Sequence, residues 1–183
     1  MGFDRTIARN WKEAFVSLPD YEEALALLQA HQDDVDYVRP QEESLIAAAE
    51  TALGLAFPPM YRRFVRELGT VGIGSEEIYG ITSDDFTTSS VPDGIWLTLR
   101  FRDRRHLPPS MIVLGTIGDG SYYVLDTAQT DSNGECLVVS WAHGWKEGDP
   151  QEVIASDFGA YFLMTVKEGI ASLEVEEAED EED

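Results

Sequence analysis

An α+β fold follows from three features of the amino-acid sequence. Apolar residues recur at helical spacing up to Gly69, alternate at strand spacing between Met111 and Trp141, and return to helical spacing after Ser156. Helices, then a meander of strands, then a closing helix is the order of a segregated rather than an alternating architecture.

Residues 10–17 and 21–31 read as two short helices parted by Leu18, Pro19 and Asp20. Asp20 suits an N-cap, Glu22 and Glu23 fall in the positive first turn, and Leu25 and Leu28 share a face. An acidic connector, QDDVDYVRP, ends at Pro40. Residues 41–53 form the clearest helix, with Leu45, Ile46, Ala49 and Leu53 on one side and Gly54 free to take the left-handed cap. Pro59 opens the next helix, whose stripe is Tyr61, Phe64, Val65 and Leu68, and Gly69 closes it.

After Gly69 the texture becomes strand-like. Residues 70–75 are Gly-rich and turn-forming, 77–81 make a short strand, and SDDFTTSSVPDG is a polar loop. Residues 95–102 admit two readings: Ile95, Leu97, Leu99 and Phe101 alternate as in a strand, while Pro92 and Asp93 suit the start of a helix. Residues 111–116 and 121–125 pair as antiparallel strands across a Gly-containing turn, and Asn133-Gly134 turns the chain into a third strand at 135–141. From Ser156, as N-cap, to Gly169 runs a final amphipathic helix with Phe158, Phe162 and Thr165 or Val166 inward.

A chain of 183 residues, 43% of them hydrophobic, has the length and core material of one domain. Its charge is the strongest compositional signal: 13 Lys and Arg stand against 35 Asp and Glu, a net −22. Such a field repels phosphate backbones, so direct nucleic-acid binding is not expected, and it attracts basic macromolecules. Eight of the acids fall in the last ten positions, a block that repels itself and reads as a disordered tail, either solubilising or binding. No stretch approaches the roughly 20 apolar residues of a membrane span, and residues 1–10 carry Asp4, Arg5 and Arg9 without an apolar signal region. A cytoplasmic protein that does not engage membranes is therefore expected. Cys136 stands alone, so no internal disulfide forms.

His31, His106 and His143 lack the spacing of a metal site. Aligning Gly134 with the invariant glycine of a calcium loop puts Gln129 and Ser140 at ligand positions, where the pattern fails. Gly115, Gly118 and Gly120 lie between two strands with no helix start behind them, so a β-turn explains them better than a phosphate loop. Cys136 falls mid-strand without a nucleophile elbow and reads as a small core residue rather than the partner of a His143 base. No catalytic residue, metal or cofactor is expected.

Glu50 to Ile81, with its LGLAFPPMYRRFVRELG core, Gly-rich loop and IYGI, resembles the opening signature of the SUKH superfamily, relatives of the fungal Smi/Knr cell-wall regulators. Leu107-Pro108, MIVLGTIGDGSYYVLDT, NGECLVVSW and SDFGAYFLMTV look like that family's meander and closing helix in the same order. The resemblance covers residues 37–170, with 1–36 as an N-terminal helical extension and 171–183 as the acidic tail. It implies a helix at 93–105, a single SUKH-like α+β domain, and a non-catalytic protein-binding role. Bacterial members are taken to be immunity proteins that neutralise a cognate toxin, and fungal members to be regulatory scaffolds.

Two residue sets remain for binding. Trp96, Tyr122, Tyr123, Trp141 and Trp145 are mixed with Asp119, Asp126 and His143; all five could be core or sheet-covering residues, but because Tyr122 and Tyr123 are consecutive on a strand they cannot both be core, and one of them should be exposed beside acids. Aromatic anchors in a negative field suit a basic protein partner, in this reading a basic toxin domain, such as a nuclease, whose active surface is occluded. The second set is Arg100, Arg102, Arg104 and Arg105, open to three readings: docking of the tail, an acidic partner patch, or simple solvation.

Overall fold

The computed structural model of the chain describes residues 18–37 and 39–180. Five helices and seven strands follow in the order α1 (Leu18–Ala30), β1 (Val35–Tyr37), α2 (Glu43–Leu53), α3 (Pro59–Glu67), β2 (Val71–Ile73), β3 (Glu76–Ile78), α4 (Gly94–Arg105), β4 (Met111–Thr116), β5 (Ser121–Thr130), β6 (Cys136–Ala142), β7 (Val153–Ala155) and α5 (Phe158–Asp180). The α+β reading holds, with helices segregated from two antiparallel sheets, β1-β2-β3 and β4-β5-β6-β7. The helix expected at 10–17 lies outside the described residues.

Helix α5 is the centre of the main core. Phe158, Tyr161, Phe162, Thr165 and Val166 are buried at helical spacing, and Phe162 meets the rings of Tyr21 at 5.2 Å and Phe64 at 5.4 Å. The α1 helix buries Tyr21, Ala24 and Leu28 against it, so this part of the N-terminal stretch is integral to the core. Tyr21 donates its hydroxyl to Glu67 at 3.1 Å, and Arg63 lies over its ring while pairing with Glu22 and Glu67. Gly169, read from sequence as the end of the helix, serves instead as a point of close approach: a Cβ there would come 2.5 Å from the carbonyl oxygen of Ile73. Nothing in the Ala-, Leu- and Glu-rich run beyond it breaks a helix, so the stretch expected to be a disordered tail is helical through Asp180.

Three further differences have local causes. The acidic connector contains β1, whose register against β2 (Val35 opposite Ile73, Tyr37 opposite Val71) depends on a partner that residues 32–40 do not reveal. The supposed turn at 70–75 holds β2, and β7 pairs with β6 at the sheet edge; three-residue strands are too short to show alternation. The α5 cap passes from Ser156 to its neighbour Asp157, whose carboxylate accepts the Ala160 amide at 2.9 Å.

Residues 95–102 belong to a helix, as the resemblance implied and the alternation did not. Asp93 caps α4, its Oδ1 accepting from Ile95 at 3.1 Å and Trp96 at 2.8 Å. The buried stripe is Gly94, Leu97, Thr98 and Phe101, and since Gly94 and Thr98 are not apolar, helical periodicity is invisible to a hydrophobicity reading. Thr98 donates to the Gly94 carbonyl at 2.6 Å and accepts the Val113 amide at 2.9 Å, fastening α4 to β4 next to the register shift between Val113 and Gly115.

Alternation in the larger sheet divides its residues between two clusters. Ile112, Leu114, Leu125, Cys136 and Val138 join the main core with α5, while Met111, Val113, Val124, Val139 and Trp141 join a second cluster with Leu97 and Phe101 of α4.

Candidate functional site

The two clusters give the consecutive residues Tyr122 and Tyr123 opposite surroundings. Both are half-buried. Tyr122 belongs with the α4 cluster, its ring edge-on to Phe101 at 4.8 Å. Tyr123 belongs with the main core, packed on Tyr161 at 5.2 Å. Burial pushes the Tyr123 phenol above its ordinary range, and the charges reinforcing that push are all carboxylates: Glu168 of α5, Glu76 of β3, Asp119 and Glu152. Neither tyrosine is exposed as expected; of the two half-buried rings it is Tyr123 that has acidic neighbours, whereas Tyr122, the residue singled out for partner contact, lies beside arginines.

On the α4 side the rings form an open groove of about 430 Å³. Trp96, Leu97, Phe101 and Tyr122 line it, with Val91 at its margin 49% exposed. Arg100 stacks over Trp96 with its guanidinium carbon 5.1 Å from the ring centroid, and Arg105 lies 4.4 Å over Phe101 and 5.9 Å from Tyr122. Among the described residues, no carboxylate lines the groove. A wider hollow of about 740 Å³ lies beside the start of α2, but it has no aromatic lining, and the Gln41 amide within it is already committed to the carbonyls of Arg39 at 3.1 Å and Ile81 at 3.0 Å.

The remaining residues of the expected site scatter. Trp141 is 1% exposed and contributes to the second core, 5.8 Å from Phe101, so it offers no surface. Trp145 is half-buried against the same cluster. Asp119 is exposed in the β4–β5 turn and accepts the Ser121 amide at 2.8 Å. Asp126 accepts from the Ser110 hydroxyl and the Ala128 amide, both at 3.1 Å, a local structural task. His143 is exposed in the loop after β6. Arg102 leaves the arginine set, since its guanidinium donates to the carbonyls of Leu53 and Pro109, both at 2.6 Å.

Sequence reasoning missed Tyr123 as the acid-ringed tyrosine and the stacking of Arg100 and Arg105. The second signal was present: Trp96 with Arg100 and Phe101 with Arg105 are both i, i+4 pairs, neighbours on a helix but not on the strand that the alternation suggested. Cys136 is the buried core residue expected, its thiol pushed well above the usual range by burial and then by the charge of Glu135. Among the described residues no group of three or more His, Cys, Asp or Glu is placed to hold a metal, and no helix is long and apolar enough to cross a membrane.

A family model described as SUKH_5, SMI1-KNR4 cell-wall, matches residues 21–167. The match starts inside α1, earlier than residue 37 where the resemblance was drawn. No curated protein matches the chain.

Proposed function

The chain belongs to the SMI1-KNR4 cell-wall family of the SUKH superfamily, and from that premise we propose that it is a non-catalytic protein-binding module, an immunity protein that neutralises a basic toxin domain by covering its active surface. The observation that supports this reading is the surroundings of Tyr123: a half-exposed aromatic among Glu76, Asp119, Glu152 and Glu168, in a chain of net charge −22. Carboxylates so placed stand where the phosphates of a nucleic-acid substrate would meet a nuclease, and an aromatic among them supplies the desolvated anchor that charge alone does not. Of the residues chosen from sequence, Asp119 belongs to this surface. Trp96, Tyr122 and Trp145 belong to the opposite one, and Trp141 supports it from beneath. A regulatory scaffold binding housekeeping proteins is the second reading, favoured by the family's cell-wall description.

The test begins at the neighbouring coding region, where the proposal expects a basic polypeptide that is toxic when expressed alone. Co-expression should rescue growth from that polypeptide. Association measured over a salt series should slow steeply as salt screens exposed charges beyond about 8 Å, with dissociation changing less. Tyr123→Ala should instead raise the off-rate. Rescue without direct binding, or an association rate that is flat in salt, would overturn the proposal.

A further inference from the structure

Arg100 and Arg105 run against the charge of the molecule. Basic residues here are outnumbered by acids, and those on α3 are saturated: Arg62 pairs with Glu43 and Glu50, Arg63 with Glu22 and Glu67, and Arg66 approaches Glu67 at 3.7 Å. Among the described residues, Arg100 and Arg105 form no ion pair; Arg100 sits over the Trp96 ring and Arg105 over the Phe101 ring, with Tyr122 at 5.9 Å from Arg105. The negative end of the α4 dipole accounts for a cation at Arg105, in the last turn. It does not account for Arg100, more than a turn further back.

A guanidinium stacked on a ring keeps its N–H edge free, and that edge matches a carboxylate bidentately. Between the two arginines the half-buried rings of Trp96 and Tyr122 are the accessible apolar surface, over the buried Leu97 and Phe101, and Ser90, Thr116 and the exposed Val91 also line the groove. A volume of about 430 Å³ holds a side chain or two rather than a folded element. Cationic walls, aromatic floor and absent carboxylates together select an anionic ligand with an apolar centre. We propose that this groove binds an acidic peptide segment of a partner protein, seating one aliphatic or aromatic side chain on the rings while flanking carboxylates take Arg100 and Arg105. Arginine and aromatic rings also suit single-stranded nucleic acid, and the net −22 of the chain repels both kinds of anion, but a phosphate backbone carries a charge at every nucleotide, whereas a peptide needs only the two carboxylates that Arg100 and Arg105 pair. The inference does not depend on the toxin reading, because it concerns the opposite side of β5 and a ligand of opposite sign.

Isotope-labelled full-length protein titrated with a short peptide of Glu and Asp around a central Leu-Phe pair tests it by NMR. The Trp96 indole and the side-chain N–H signals of Arg100 and Arg105 should shift, and the Arg100→Gln, Arg105→Gln double variant should bind about tenfold more weakly or worse. Val91→Glu, at an exposed position in the groove lining, should weaken binding similarly by placing a carboxylate there. Absence of shifts, equal shifts with a peptide carrying Lys in place of the acids, a response to oligouridine but not to the peptide, or undiminished binding by either variant would overturn the proposal. A basic partner that associates faster at low salt would leave the Tyr123 reading intact whichever way this test falls.

Discussion

Glu135 and Met60, 75 residues apart in the chain, are joined by a hydrogen bond in which the Met60 amide donates to Glu135 Oε1 at 2.8 Å. The bond holds the first turn of α3 against the start of β6, and it leaves Oε2 buried with no partner among the described residues. Burial pushes this carboxyl from its ordinary 4.5 up to about 7, against the lowering effect of the Met60 amide, with Asp157 and Asp131 adding to the rise.

A raised carboxyl favours folding while it keeps its proton. The stability it contributes is complete below about pH 4.5, falls as the pH climbs, and is gone above about pH 7. At about 1.4 kcal/mol per pH unit the full span is roughly 3 kcal/mol. Glu135→Gln keeps the acceptor for Met60 and removes the charge, so it should match the parent near pH 4 and exceed it by ~2–3 kcal/mol at pH 8. Urea unfolding of both proteins across that range checks this, and parallel stability profiles would refute it.

Asp93 has the heaviest bonding duty of any carboxylate described. Besides capping α4 it accepts from the Thr82 amide at 3.2 Å and the Thr82 hydroxyl at 2.8 Å, and it is fully buried. Asp93→Ala should cost about 3–4 kcal/mol by leaving several donors unpaired, while Asp93→Asn, whose one amide oxygen can still cap α4 but whose NH2 cannot accept from Thr82, should cost about half as much. Equal losses for the two variants in chemical denaturation would show that charge rather than hydrogen bonding is what matters.

His106 ends α4 in the left-handed region, at φ 57° and ψ 37°, and is exposed. A side chain with a Cβ is strained there and glycine is not. His106→Gly should therefore raise stability by about 0.5–1 kcal/mol, and His106→Val should lower it by about 1–2 kcal/mol. An alanine scan of the histidines would misattribute this strain to function, so glycine is the informative replacement. A glycine variant that melts lower than the parent would mean that the imidazole has a task of its own.

Removal of residues from Glu174 onward should leave thermal stability almost unchanged. Glu174 and Val175 are exposed, whereas Ser172, which accepts the Ser75 amide at 2.9 Å, and Leu173, which packs on the core, are retained. Like-charge relief offsets what the lost helical turns contributed, and the melting temperature measured by calorimetry should move by no more than about 2 °C. A large drop would mean that the acidic end of α5 docks on the body.

Legibility from sequence followed how local each cause was. The α2, α3 and α5 helices announce themselves because apolar spacing, Pro59 and Gly54 are all near neighbours in the chain. β1, β2 and β7 do not, because three-residue strands exist only through their partners. The α4 helix defeated the alternation reading because its buried stripe uses Gly94 and Thr98, which no hydropathy pattern marks. The same held for the candidate surfaces. That Tyr122 and Tyr123 diverge followed from strand geometry, but which of them meets acids depends on α5, β3 and α4, each brought to the sheet from a distant part of the chain.

The parity of β5 has a consequence for how such a protein can change. Tyr123 and Leu125 look toward one set of neighbours, Tyr122 and Val124 toward the other. Substitutions at odd positions therefore retune one surface without touching its opposite, and those at even positions do the reverse. A single-residue insertion within the strand would exchange the two sets at once, burying what should bind and exposing what should pack. Length varies without that exchange in the turns, around Gly118 to Gly120 and Asn133-Gly134, leaving identity within residues 121–125 of the strand as the means by which either face diverges.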